Sequence, residues 1–463
     1  MTFSIAKKSK FTNLSSTCEL ITKSICLVLT VSGFCAGAAL AQVVNLPPAT
    51  GDMGPAFREA FSKGTTVQLD AGIYLHAGAL DVPNGKTLRG AGANTIVRST
   101  TAPEGAIRLG SSCTVSDLTV EYAPNKISGN FVLDTLEDNP NYAGISAKGA
   151  SNVLISSVTT GMVPSDALTF WSSSNIRVQN CHIGAATTPV TLPVYSDFKT
   201  GCARGIGMIS SKNISITGTS VQNAWCAPIQ GDSVSSVNLT NDHVITGFIF
   251  FYGGTNIAVR NSTLEQAYLF EEPVSPNVNT PYTISGNHFS NGSIVFTYYG
   301  SPTISNNDFN NSSLSMAESQ GASITSNTFE NLAGQNFFGN SLPQTACSIS
   351  YANGKTTIAN NTATNLSGGF LNTDSHSVGS LNVTNNTVGN VWTVNPSYLE
   401  RYTGLTSLNL AYYYIAGSFS AASVTGNVDA GPTGFAKYNI VAPAKATLSG
   451  NTETNGNLLP NEQ

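Results

Sequence analysis

A short phrase recurs through the chain: an aliphatic residue, one small residue, then a bend of Asn or Gly, as in "ISGNHF", "ISNNDF", "ITSNTF", "IANNTA", "VTNNTV", "VTGNV" and "LSGNT". Aligned on the aliphatic, the copies are Val178, Ile216, Leu239, Val259, Ile284, Ile304, Ile324, Ile358, Val383, Val424 and Leu448. Two residues later stand Asn180, Gly218, Asn241, Asn261, Gly286, Asn306, Ser326, Asn360, Asn385, Gly426 and Gly450. All but Ser326 are the two residue types that enter left-handed backbone at least cost. One position further, the last seven copies carry Asn287, Asn307, Asn327, Asn361, Asn386, Asn427 and Asn451. Asn is a poor strand former, so its place after an aliphatic marks a tight bend. The amide that follows can hydrogen-bond its copy in the next repeat, stacking into a ladder. The last seven aliphatics lie 20, 20, 34, 25, 41 and 24 residues apart. A minimum near 20 with insertions added predicts one coil of a parallel β-solenoid. Leucine-rich repeats lack support because no L-x-x-L-x-L pattern occurs, and a β-propeller would need longer, uniform blades.

The first 41 residues read as an export signal. Lys7, Lys8, Lys10 and Lys23 precede or flank an apolar stretch, and Ala39-Leu40-Ala41 forms an A-x-A cleavage site. Removing them leaves 463 − 41 = 422 residues, with 21 − 4 = 17 basic and 26 − 1 = 25 acidic side chains, a net charge near −8. The expected location is therefore secreted or periplasmic, with no membrane insertion after signal removal. An acidic chain argues against nucleic acid or an anionic membrane surface as partner. Five cysteines remain (Cys113, Cys181, Cys202, Cys226, Cys347), an odd number that excludes a disulfide scaffold. Cys202 and Cys226 fall near equivalent points of adjacent coils, so a bridge and buried free thiols both stay open. No C-x-x-C or His/Cys cluster suggests zinc.

An open sheet end needs a cover. "DMGPAFREAFSKG", residues 52–64, predicts a short capping helix with Phe57, Ala60 and Phe61 on one face. The strand residues Gly64, Val67, Leu69, Gly72 and Tyr74 follow, then Lys86, Thr87, Leu88, Gly90 and Gly92. This opening resembles the right-handed parallel β-helix proteins of the pectate-lyase superfamily. The resemblance implies an all-β, right-handed parallel β-helix with an N-terminal capping helix, as a single domain over 42–463 with eleven or more coils. It says little about reaction, since that superfamily holds lyases, hydrolases, epimerases, tailspikes and surface proteins.

Members of that superfamily usually bind polysaccharide along one long sheet. Its expected strands centre on Ile145, Leu168, Ile206, Ile229, Ile249, Leu269 and Ile294. If these point inward, residues one and three places later point outward. One outward column then reads Lys148, Trp171, Ile209, Asp232, Tyr252, Glu272 and Thr297; the other reads Ser146, Thr169, Gly207, Gln230, Phe250, Phe270 and Val295, with Tyr268 one step back. Aromatic rings are costly to leave in water unless something stacks on them. Sugar rings are natural partners, so Trp171, Gln230, Phe250, Tyr252, Tyr268, Phe270 and Lys148 are the candidate substrate-binding residues. The competing expectation is that inserted loops, at 124–142, 185–203 and 271–281, roof these rings.

Asp232 and Glu272 lie two coils apart, roughly 9.6 Å between backbones at ~4.8 Å per strand. Inverting glycosidases hold their acid and base ~6.5–9.5 Å apart. These are the first candidate catalytic pair. Asp166 and Arg204, aligned on adjacent coils, are the second. They form either a structural ion pair or, with Lys199 and His182 nearby, a reader of a uronate carboxylate in a lyase. Polygalacturonase motifs are incomplete: Asn372-Thr373-Asp374 occurs, but no D-D, G-H-G or R-I-K follows. The expected activity is cleavage of a polysaccharide glycosidic bond, hydrolysis ahead of β-elimination. The alternatives are a uronate lyase, a non-catalytic exopolysaccharide-binding or export accessory, and a surface solenoid. No cofactor is firmly implied; Ca2+ enters only on the lyase reading.

Overall fold

The computed structural model describes residues 42–100, 105–123, 143–163, 165–184, 190–191, 199–200, 202–272, 281–297, 300–332, 345–366, 368–373, 377–389, 413–416, 419–429, 438–441 and 446–453. They form a right-handed parallel β-helix of about 13 turns with one short helix near the N-terminus. Coils stack residue on residue. The strand Lys355–Ala359, for example, pairs in parallel with Gly321–Thr325 on one side and Ser380–Thr384 on the other, so that Ile324, Ile358 and Val383 are direct partners. The aligned aliphatics from Val178 to Val424 are all buried, and Leu448 near the far end is half-buried. Burying such a column of Ile and Val contributes roughly 1.5–3 kcal/mol per side chain, which drives each coil onto the last.

The bends form where the pattern places them. Every aligned position from Asn180 to Gly450 has φ between +50° and +69°, Ser326 included at +57°. The amide ladder is continuous. Each of Asn287, Asn307, Asn327, Asn361, Asn386 and Asn427 donates both its backbone N–H and its Nδ2 to the Oδ1 of the next Asn, at 2.9–3.0 Å. Nδ2 also donates to a carbonyl of the preceding coil, as from Asn327 to the Ile304 oxygen at 2.9 Å. The ladder starts earlier than the Asn run suggests. Cys181 N–H donates to Thr219 Oγ1, Thr219 N–H to Asp242 Oδ1, Asp242 N–H to Ser262 Oγ and Ser262 N–H to Asn287 Oδ1. These four rungs occupy the same position after the bend, but their chemistry differs, so no common letter reveals them.

Equal register also superposes like side chains inside the coil. Phe289, Phe309 and Phe329 stack with centroids 4.9 and 4.6 Å apart and planes within 8° and 5°. At the N-terminal end the helix runs Gly54–Lys63, with Phe57, Ala60 and Phe61 buried as expected. It begins two residues after Asp52, with Met53 at the N-cap position; Asp52 stays outside the helix, where its Oδ1 accepts the N–H groups of Gly54 and Ala77, both at 2.9 Å. One strand was not anticipated. Val43–Leu46 precedes the helix and pairs in parallel with Thr66–Leu69, too short a run for its own pattern to declare it.

Candidate functional site

The expected outward columns are in register from Lys148 to Glu272 and from Ser146 to Val295. Lys148, Trp171, Ile209, Asp232, Tyr252 and Glu272 are successive register partners, as are Ser146, Thr169, Gly207, Gln230, Phe250, Phe270 and Val295. The aliphatics that precede them are buried, which fixes both columns on the outer face. Parallel register with period-2 alternation leaves no other choice once one column is inside.

Exposure along this face is uneven. Lys148 is exposed and its Nζ lies 5.4 Å from the Trp171 ring centroid, a cation–π contact. Ser146 and Thr169, however, are only 4% and 2% exposed, so the column one place after the aliphatic is covered on its first coils. Gln230, Phe250, Phe270 and Tyr268 are half-buried, and Tyr252 reaches 40%. The aromatic part of the face is therefore neither inside the coil nor fully roofed.

Five rings meet there. Phe250 and Tyr252 have centroids 6.5 Å apart with planes at 17°; Phe250 and Phe270 are 6.1 Å apart. Phe248 joins them, 5.8 Å from Tyr268 and 6.3 Å from Phe270. Phe248 was not among the sequence candidates, although it stands one step before Ile249 just as Tyr268 stands before Leu269. Beside the rings, Gln230 Nε2 donates to Asp232 Oδ2 at 3.2 Å. Asp232 and Glu272 flank Tyr252 in register, one on each neighbouring strand. The Glu272 side chain lies outside the described residues. Its neighbour Glu271 points the other way, 1% exposed in the interior column between Phe251 and Phe296, an inward carboxyl that alternation on this strand implies.

Asp166 and Arg204 come together as aligned. Arg204 Nε donates to Asp166 Oδ1 at 2.8 Å, with side chains 1% and 3% exposed. The pair lies on the outer face: a Cβ on Gly207 would sit 2.4 Å from Asp166 Oδ2, so glycine at 207 gives the carboxylate its room. A guanidinium this buried and joined to a carboxylate answers the structural alternative better than capture of a polymer. His182 is exposed on the strand His182–Ile183 and shares a 2.9 Å hydrogen bond with Ser220.

Several expectations fall partly outside the described residues: the export signal, the segment 124–142, Asp374, and the side chains of Lys199, Cys202, Cys226 and Thr297. Within 185–203, Val190–Thr191 and Lys199–Thr200 pair antiparallel, so this insertion carries a small ribbon of its own. Cys113, Cys181 and Cys347 are free and buried; burial pushes the Cys181 thiol up to about 11 and that of Cys347 up to about 12. Among the described residues no group of three or more His, Cys, Asp or Glu converges to hold a metal. No helix among them is long and apolar enough to cross a membrane.

No family model matches the chain, and no curated protein sequence matches it either. Solved structures do. The pre-mature gene product 12 of bacteriophage phi29 matches at 14% identity over 88% of this chain and 54% of that one, with a TM-score of 0.58. This chain thus spans about half of the phage protein. The catalytic unit of a thermostable α-1,3-glucanase from Streptomyces thermodiastaticus matches at 15% identity, over 89% and 69% of the two chains, with a TM-score of 0.46. The A-module of a mannuronan C-5 epimerase from Azotobacter vinelandii matches at 13%, over 88% and 100%, also with a TM-score of 0.46. Likenesses at this identity concern the fold alone.

Proposed function

We propose that the protein is an exported, polysaccharide-active β-helix that hydrolyses a glycosidic bond at the aromatic face, with Asp232 and Glu272 as acid and base. The observation that carries this reading is the cluster of Phe248, Phe250, Tyr252, Tyr268 and Phe270 on the outer face, directly beside the Gln230–Asp232 pair. Half-buried rings give flat apolar surface to the faces of sugar rings, while an amide and a carboxylate at their edge accept and donate to hydroxyls. Positions 232 and 272 stand two strand spacings apart, roughly 9.6 Å between backbones. That separation suits a mechanism in which one carboxyl protonates the leaving oxygen and the other draws a proton from the attacking water. Lysis by β-elimination is the weaker reading, because the guanidinium available to neutralise a uronate, that of Arg204, is buried against Asp166.

A polysaccharide panel tests the proposal. New reducing ends without absorbance from unsaturated sugars support hydrolysis, and unsaturated ends would replace it with a lyase. Binding without cleavage by any panel member would leave a carbohydrate-binding or export-accessory role and remove the enzymatic one.

A further inference from the structure

The superfamily resemblance leads one to expect a polymer running along the helix axis, over many coils. The rings are not arranged that way. Along the axis, the column through Phe250 and Phe270 continues into Val295, Ser315 and Ser348 on one side and into Gln230 and Gly207 on the other. Between Gly207 and Ser348 only Phe250 and Phe270 of this column are aromatic, and the next aromatic position in it, Tyr414, lies several coils beyond. Along the strand His243–Tyr252, by contrast, Phe248, Phe250 and Tyr252 all face outward while Ile249 and Phe251 between them are buried. Alternate residues of a strand repeat every ~6.6–6.8 Å, and Phe250 and Tyr252 keep that step with near-parallel planes, 6.5 Å and 17°. The neighbouring strand Thr263–Glu272 lays Tyr268 and Phe270 beside Phe248 and Phe250 in register. On the opposite side, Gln230 and Asp232 lie beside Phe250 and Tyr252. Aromatic and polar residues thus form strips that run with the strands.

We infer that the sugar chain crosses the β-helix along the strand His243–Tyr252, stacked on Phe248, Phe250 and Tyr252, rather than following the helix axis. This rests on the polysaccharide reading above and assigns Phe248 as a binding residue. A second feature agrees with it. Positions 232 and 272 flank Tyr252 on opposite sides along the axis. A chain running with the strand passes between them, as an acid and a base acting from opposite sides of one bond require. An axial chain would meet them one after the other along its length. The footprint of three rings spans two alternate-residue steps, about 13 Å.

Affinity electrophoresis separates the two paths, using gels that contain a neutral α-glucan, a neutral β-glucan, polygalacturonate or alginate. In the gel that retards the wild type, Phe248→Ala and Tyr252→Ala are each expected to weaken binding at least tenfold. Trp171→Ala, three coils away, is expected to change it by less than twofold. Phe248→Tyr should bind like the wild type and Phe248→Leu should not, which separates stacking from packing; matched denaturation midpoints establish that the variants fold. Loss of binding in Trp171→Ala with none in Phe248→Ala would overturn the transverse path while leaving the polysaccharide reading intact. Absence of retardation in every gel would overturn both.

Discussion

Replacing Asn327 by Ala tests whether the buried amide ladder holds the coils in register. Asn327 is 1% exposed. Its Oδ1 accepts from Asn307 N–H at 3.0 Å and from Asn307 Nδ2 at 2.9 Å, and its Nδ2 donates to the Ile304 carbonyl and to Asn361 Oδ1 at 2.9 and 3.0 Å. Truncation removes the acceptor of both Asn307 groups; the Asn307 Nδ2 keeps the Ile284 carbonyl, but its backbone N–H keeps nothing the ladder supplies. Leaving a buried donor unsatisfied costs about 1–3 kcal/mol, so two weakened donors imply a loss of roughly 2–5 kcal/mol. The control is Asn310→Ala, which removes the acceptor of an exposed bond from Asn331 Nδ2 at 3.2 Å. Water replaces that partner, and the expected change is within about 0.5 kcal/mol. Urea denaturation compares the two variants, and hydrogen exchange reports the Asn307 amide directly. In Asn327→Ala that amide should lose protection ahead of the flanking strand amides. Equal midpoints for the two variants, or an Asn307 amide as protected as in the wild type, would refute the idea that the ladder contributes stability.

Asp242 is the one carboxylate among the ladder rungs, and burial pushes it up to about 7, against hydrogen bonds from the Thr219 and Thr240 N–H groups that favour ionisation. A raised carboxyl contributes stability that is complete below about pH 4 and is lost as pH rises through about 7. The interval of about three pH units sets an upper bound of roughly 4 kcal/mol at ~1.36 kcal/mol per unit. The difference in denaturation midpoint between Asp242→Asn and the wild type should therefore grow in favour of the variant from pH 5 to pH 8, and a difference independent of pH would contradict the assignment. On the proposed hydrolysis, Asp232→Asn should lower turnover by about 10²–10⁴-fold, the usual loss for a general acid or base, with retardation by the polysaccharide retained; intact turnover would remove Asp232 from the mechanism. Gly90→Ala would place its Cβ 2.2 Å from the Asp117 carbonyl oxygen and 2.9 Å from Thr95 Cβ. Overpacking of this kind costs about 1–3 kcal/mol, and limited proteolysis should then open the amino-terminal coils first; unchanged proteolysis would show that the backbone shifts there at little cost.

Much of the fold was legible because a solenoid repeats its local chemistry. A bend needing positive φ calls for Asn or Gly each time, so the positions from Asn180 to Gly450 could be aligned without a structure, and the Asn ladder followed. The outward columns were legible for a related reason: parallel coils with period-2 alternation carry one inward aliphatic into the facing of every neighbour. What escaped was whatever the repeat does not encode. The rungs Cys181, Thr219, Asp242 and Ser262 share a place but no residue type. Phe248 entered the ring cluster only when its contacts with Tyr268 and Phe270 were seen.

The sequence by itself determined that the chain coils, where each bend falls and which side chains face outward, since these follow from backbone preference and a fixed period. Tertiary structure alone decided which outward residues stay accessible. Ser146 and Thr169 occupy the same column as Phe250 and Phe270, yet they are covered, and Arg204 is closed against Asp166 over Gly207. Accessibility depends on what packs across coils and over the face, a non-local property that no repeat of twenty residues can specify. The grouping of the rings is of the same kind, because register between coils sets Tyr268 and Phe270 of one strand beside Phe248 and Phe250 of its neighbour.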